Sequence, residues 1–205
     1  MSIRKTILGA ASALACSLAL GGAAQASIIP VLTGGPTLVS PGVWQYTYTA
    51  SLASDQGLVN GSALAIYDFA GYAGGFTTSN ANFTLTTPNL APGFLGGNPL
   101  ATDDPSTTDL VFTWTDGDFG SEAIHDPIDF TFQVNSTFNL TRSDGFAGMA
   151  VINNGDQKGF LAINYGSVAV PGVPESATWA MMILGMGMVG AGLRLRRGRP
   201  IAVAA

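Results

Sequence analysis

The sequence predicts an all-β protein whose body is an antiparallel β-sandwich or jelly roll. Between residues 27 and 173 no long helical period occurs, and short β-rich runs alternate with Gly, Pro, Asn and Thr. No repeat of fixed period is present, which argues against a solenoid. A chain of 205 residues is long enough for one domain of ordinary size.

Eight runs in this body are expected to form strands, because their side chains alternate or are β-branched and aromatic. The runs are 43–52, 63–69, 82–87, 109–115, 128–134, 136–141, 146–152 and 160–170. Alternation places three aromatic sets on single strand faces: Trp44 with Tyr46 and Tyr48, Phe112 with Trp114, and Phe130 with Phe132 and Val134.

Three segments rich in Pro and Gly read as connections between or beside these strands. Residues 87–108 predict a long loop, residues 30–42 an extended lead-in, and residues 166–174 a linker to the C-terminal segment.

The N-terminus predicts a secretory signal peptide over residues 1–26. Arg4 and Lys5 precede an apolar segment of small residues, and Ala24-Gln25-Ala26 forms an A-x-A site for signal peptidase. The body, residues 27–172, would therefore be exported by the Sec machinery. A retained membrane anchor is one alternative.

The single cysteine, Cys16, lies within this N-terminal segment. Cleavage would leave a mature chain without a disulfide, a thiol nucleophile or a cysteine metal site. A lipoprotein modified at Cys16 is a second alternative, although Ala13-Leu14-Ala15 lacks a large apolar residue three positions before it.

The body is strongly acidic. From Ser27 to Gly172 it carries Arg142 and Lys158 against twelve acidic residues, for a net charge of −10. Such a surface repels nucleic acid, so nucleic-acid binding is excluded as a function, whereas neutral glycans and divalent cations are compatible partners.

The body offers little catalytic chemistry, and we expect it to be non-enzymatic. His125 is the only histidine, no serine lies in a G-x-S-x-G context, and a metal site built from several histidines is impossible. We expect His125 to be a polar loop residue rather than part of a catalytic triad.

One acidic turn is a candidate calcium site. In "DGDFGSE", Asp116, Asp118 and Glu122 surround two glycines and offer oxygen ligands to Ca²⁺, but the full EF-hand pattern is absent. The alternative is an ordinary acidic hairpin turn. Apart from Ca²⁺, no cofactor is expected.

The C-terminal segment is apolar and ends in a basic cluster. Residues 177–195 would form a helix of about 28 Å, just enough to cross a hydrocarbon core of about 30 Å. The positive-inside rule would keep the basic cluster in the cytoplasm and the body outside. The cluster consists of Arg194, Arg196, Arg197 and Arg199.

Glycines weaken this predicted transmembrane helix as a permanent anchor. They occupy positions 185, 187, 190 and 192, and they favour a recognition segment that is later cut off. A simple single-span anchor is the alternative.

The stretch "VPESATWAMMILGMGMVGAGLRLRR" resembles the PEP-CTERM sorting signal, in the variant that carries Trp-Ala after the Pro-Glu-Pro box. Pro174 and Glu175 match the box, Trp179 and Ala180 match the Trp-Ala pair, and a glycine-rich span and the Arg cluster follow. Ser176 stands where the family usually has the second proline.

The resemblance implies a substrate of exosortase, a membrane-embedded enzyme of Gram-negative bacteria. It implies cleavage near Pro174-Glu175, an intermediate at the inner membrane, and delivery to the cell surface or medium, often alongside exopolysaccharide. Residues 173–200 would be the sorting signal and 201–205 a short cytoplasmic tail. A carbohydrate- or calcium-binding adhesion module on a simple anchor is the alternative, and a hydrolase is a third.

Overall fold

Ten strands in two antiparallel sheets form the body, so the expected all-β class is confirmed. A computed structural model describes residues 28–99, 101–173 and 176–197. The strands are β1 (Ile28–Ser40), β2 (Val43–Leu52), β3 (Gln56–Gly57), β4 (Ala63–Ile66), β5 (Thr77–Thr78), β6 (Phe83–Thr86), β7 (Leu110–Trp114), β8 (Ile128–Ser136), β9 (Leu140–Ile152) and β10 (Leu161–Gly172). A helix, α1 (Ser176–Arg197), follows β10.

The smaller sheet has the strand order β1-β2-β8-β5. Its two central strands alternate as the sequence predicts: Tyr48 on β2 lies opposite Phe132 on β8, and both side chains are fully buried. Tyr46 and Val134 form the next buried pair on the same face. On the other face the side chains of β2 and β8 are mostly polar and half-buried, and Ile29 and Val31 of β1 are exposed.

The larger sheet has the order β10-β9-β4-β7-β6, with β3 paired to β9. It shares one hydrophobic core with the smaller sheet. The ring of Phe83 on β6 lies 5.0 Å from the rings of both Phe130 and Phe132 on β8, edge to face. Aromatic burial of this kind supplies much of the apolar area that drives folding.

The long loop between β6 and β7 covers the outer face of the larger sheet, which confirms the loop expected at 87–108. A one-turn 3₁₀ helix (Gly93–Gly96) lies within it, and Leu95 belongs to the same buried cluster as Ala63, Ala65 and Ala147. These small residues let the loop approach the sheet closely. As a result all four residues of β4 are buried.

Three expectations about where strands and connections lie were wrong. Most of the predicted lead-in at 30–42 is the edge strand β1, and residues 137–139 of the predicted strand 136–141 connect β8 to β9. The predicted linker at 166–174 mostly lies in β10, because β10 pairs with β9 without a break from Leu161 opposite Val151 to Gly172 opposite Leu140.

The C-terminal helix differs from the expectation of a transmembrane span. In the part of the chain that the structure describes, no helix is long and apolar enough to cross a membrane, so the expected transmembrane helix is not supported. Glycines recur along α1 and Arg194 lies near its end, and both lower its apolar content.

Candidate functional site

Two of the three carboxylates that the sequence nominated for calcium, those of Asp116 and Glu122, have partners within the protein. Asp116 accepts hydrogen bonds from the Asn82 side-chain amide at 2.7 Å and from the Gly117 backbone N–H at 2.8 Å. Glu122 forms an ion pair with Lys158, with a nitrogen–oxygen distance of 2.7 Å. Of the described residues, the acidic group with the spacing of an ion site is a different one, so the fold does not draw Asp116, Asp118 and Glu122 together.

His125 contacts backbone carbonyls through both ring nitrogens. Nε2 lies 2.7 Å from the carbonyl oxygen of Gln56, and Nδ1 lies 2.6 Å from that of Asp126. The ring therefore ties its loop to β3, as expected of a structural polar residue.

Three aspartates, Asp68, Asp103 and Asp109, form the acidic group that the fold does assemble. One carboxylate oxygen of each lies within 4.8 Å of those of the other two. Asp68 follows β4, and Asp109 directly precedes β7. Because β4 and β7 are paired with Ile66 opposite Leu110, their ends bring these two residues together. Asp103 arrives from the long loop; we call this group the aspartate cluster.

Backbone amides hold each carboxylate of the aspartate cluster by one oxygen. Asp109 accepts from the Asp68 N–H at 2.9 Å, Asp68 from the Asp104 N–H at 3.1 Å, and Asp103 from the Ala91 N–H at 3.0 Å. Asp68 also has a φ of 52°, a left-handed conformation that Asp adopts more readily than most residues. The side chains are thus fixed before any ligand arrives.

Two oxygens of the aspartate cluster are left without a hydrogen-bond partner although they are buried. They are Oδ1 of Asp103 and Oδ2 of Asp109. Asp109 is fully buried, and Asp68 is 3% exposed. A buried polar atom without a partner costs about 1–3 kcal/mol, and more when it is charged.

Positive charge near the aspartate cluster is limited. Arg142 on β9 lies 2.9 Å from the carboxylate of Asp144 and 3.7 Å from that of Asp68. Burial raises the pKa of Asp68 to about 6, and the negative charges of Asp144 and Asp103 add to this effect.

The pKa of Asp109 is shifted in the same direction. Burial raises it to about 7, and the nearby charges of Asp103 and Asp68 raise it further, against the lowering effect of the Asp68 backbone hydrogen bond. A cluster of this kind binds protons or cations more readily than isolated surface carboxylates do.

Sequence reasoning missed the aspartate cluster because its members are far apart in the chain. Asp68 and Asp109 are 41 positions apart and meet only through the pairing of β4 with β7. The available signal was local: each acidic residue flanks a buried run, "ALAI" or "LVFTW".

The residues of the sorting and processing signals fall partly outside the described chain. Ala24, Ala26, Pro174, Glu175 and Arg199 lie outside it, and Trp179, Ala180, Arg194, Arg196 and Arg197 lie in α1. Between Met181 and Val189 of α1 the apolar side chains are exposed: Met181 by 71%, Ile183 by 67% and Met186 by 71%.

Compared with known proteins, the chain matches no family model and no curated protein.

Proposed function

We propose that this chain is an exported, non-enzymatic β-sandwich protein of a Gram-negative bacterium, sorted to the cell surface or extracellular matrix by its C-terminal segment. The observation that carries the proposal is α1. The apolar side chains exposed between Met181 and Val189, together with the arginines in the last turn, support a segment that another protein recognises.

The sorting pathway has two processing steps. Signal peptidase removes residues 1–26 after export by the Sec machinery, and exosortase then recognises Pro174 and Glu175 at the inner membrane. Trp179 and Ala180 complete the recognition motif. The basic cluster of Arg194, Arg196, Arg197 and Arg199 ends the sorting signal.

The body serves in the surface matrix rather than as a catalyst. Its one histidine is engaged by backbone carbonyls, which supports a structural role for that ring. The outer face of the smaller sheet presents hydroxyl and amide groups, among them Thr47, Thr49, Thr131 and Gln133. Hydroxyl and amide groups of this kind suit hydrogen bonding to exopolysaccharide, and Asp129 adds one charge to the same face.

Intact mass spectrometry of the protein from cells and medium, with and without exosortase, tests the proposal. A species running from Ser27 to near Pro174 is expected, and it should disappear in the strain without the enzyme. Glu175→Ala should retain the tail. Thr178→Ala is the matched control, because it alters a position that the motif leaves unspecified, and it should be processed normally.

Ser176→Pro restores the full box and should increase the processed fraction. A species that extends to Ala205 in both strains and in every variant would overturn the proposal, because the segment would then not be read by exosortase.

A further inference from the structure

We propose that Asp68, Asp103 and Asp109 bind one divalent cation through oxygen ligands, with Ca²⁺ as the best fit, and that the ion fastens the long loop to the larger sheet. This goes beyond the sorting function and does not depend on the C-terminal segment. The observation that points to a ligand is the pair of buried carboxylate oxygens without partners.

These two oxygens require a positively charged partner. Asp109 is fully buried, so water does not solvate its side chain, and Oδ2 receives no hydrogen bond while Oδ1 receives one from Asp68. Native proteins rarely leave such atoms unsatisfied. A proton or a cation must therefore supply the missing positive charge.

The body has no spare basic residue for this purpose. Of its two cationic side chains, Lys158 pairs with Glu122, and Arg142 is divided between Asp144 and Asp68. Asp103 and Asp109 are left without a basic partner among the described residues. A divalent ion would neutralise the aspartate cluster more completely than Arg142 does.

The spacing fits an ion of the size of calcium. Calcium–oxygen distances are about 2.4 Å, so two oxygens on one ion are separated by at most about 4.8 Å. The three aspartates meet this limit with one oxygen each. All the ligands are carboxylates, and Ca²⁺ accepts irregular arrangements of oxygen more readily than Mg²⁺ does.

The ion would add a link among three parts of the fold. Asp68 lies beyond the end of β4, Asp109 lies at the start of β7, and Asp103 belongs to the loop. The loop's other ties to the sheet include the Tyr67 hydroxyl donating to the Leu95 carbonyl and the Asn98 amide donating to the Phe146 carbonyl at 3.1 Å.

A proton shared between Asp103 and Asp109 is the competing explanation. It would neutralise one charge near neutral pH, and it would be lost as the pH rises. Experiments at pH 8 therefore separate the two, because a bound cation persists under conditions that remove the proton.

The test uses the purified full-length chain, stripped with EDTA and returned to pH 8. Added CaCl₂ should raise the Tm by about 5 °C or more at one hundred times the dissociation constant. Isothermal titration should give one ion per chain. MgCl₂ should give a smaller rise in Tm.

Two variants and one control make the test specific. Asp103→Asn and Asp109→Asn should each abolish most of the calcium-dependent rise. Asp103→Asn keeps an oxygen that can accept the Ala91 hydrogen bond, so it carries the test if Asp109→Asn does not fold. Asp116→Asn, in the turn outside the aspartate cluster, should respond to calcium as the original protein does.

The proposal is overturned if the original protein shows no calcium-dependent rise at pH 8, in which case the shared proton is the better account. It is equally overturned if Asp103→Asn retains the full rise, or if Asp116→Asn alone loses it.

Discussion

Phe112 on β7 and Phe132 on β8 stack with their ring centroids 4.4 Å apart and their planes 24° apart. The two rings belong to different sheets, and both are fully buried. The stack therefore joins the two sheets within one core.

Truncation of this stack is predicted to destabilise the protein strongly. Phe132→Ala should lower the free energy of unfolding by about 3–5 kcal/mol, because it removes a buried ring and leaves a cavity. Phe160→Ala is the matched control, since Phe160 is 65% exposed, and it should change the free energy by less than about 0.5 kcal/mol. Urea denaturation measures both, and equal losses would contradict the central place of the stack.

The aspartate cluster predicts a pH-dependent stability in protein stripped of metal. The folded state holds the proton of Asp109 up to about pH 7, whereas the unfolded state releases it near pH 4. The folded state thus binds more protons between these values, and the free energy of unfolding should fall as the pH rises through this window. The charged groups that act on Asp109 are Asp103 and Asp68, and Asp68 in turn lies 3.7 Å from Arg142.

Asp109→Asn should reduce this fall, because the amide does not titrate, and the part that Asp68 contributes should remain. Urea denaturation at pH 5 and pH 8 in EDTA provides the measurement. Asp116→Asn should keep the slope of the original protein. A slope that is the same in both variants would show that Asp109 is not the group responsible.

The buried amide of Asn153 predicts a large loss of stability when it is replaced by a carboxylate of the same size. Its side-chain amide, 1% exposed, lies 2.8–3.1 Å from four carbonyl oxygens, those of Ser54, Gln56, Gly120 and Ala123. Asn153→Asp would set a buried carboxylate against these acceptors and should cost about 3–5 kcal/mol at neutral pH. Thermal unfolding measures this loss. Asn139→Asp is the control, because Asn139 is exposed, and it should leave the stability nearly unchanged.

The close approach of Gly57 on β3 to the backbone of Ser121 predicts a steric effect of substitution. A β-carbon at this position would collide with the backbone of Ser121, so Gly57→Ala should lower the free energy of unfolding by about 1–3 kcal/mol. Gly117→Ala is the control, because nothing lies within 4 Å of its added carbon. Limited proteolysis should also show faster cleavage near residue 121 in Gly57→Ala, and an unchanged rate would contradict the close packing.

Local alternation predicted the central strands well. The run 43–52 coincides with β2, and the aromatic faces of β2, β7 and β8 all point into the core. Alternation failed at 136–141, because Ser136 ends β8 and buries its hydroxyl against the Ala70 carbonyl. It also missed β1, where Pro30 and Pro36 suggested an extended lead-in, but the segment pairs with β2 as an edge strand.

The aspartate cluster could not be predicted from local sequence, because its members meet only through long-range contacts. A compact motif such as "DGDFGSE" is visible in sequence, but Asp116 is bound by Asn82 and Glu122 by Lys158. The aspartate cluster requires the pairing of β4 with β7 and the return of the long loop, which are long-range events. Acidic residues that flank buried strands are the useful signal in such a chain.

The pairing of β10 with β9 has a consequence for how the protein would leave the membrane. The last pair of this ladder is Gly172 opposite Leu140, and Glu175 comes three positions later in the chain. A cut near Pro174-Glu175 therefore removes no cross-strand partner from the body. The released product would keep its backbone ladder intact, so its departure would require no refolding.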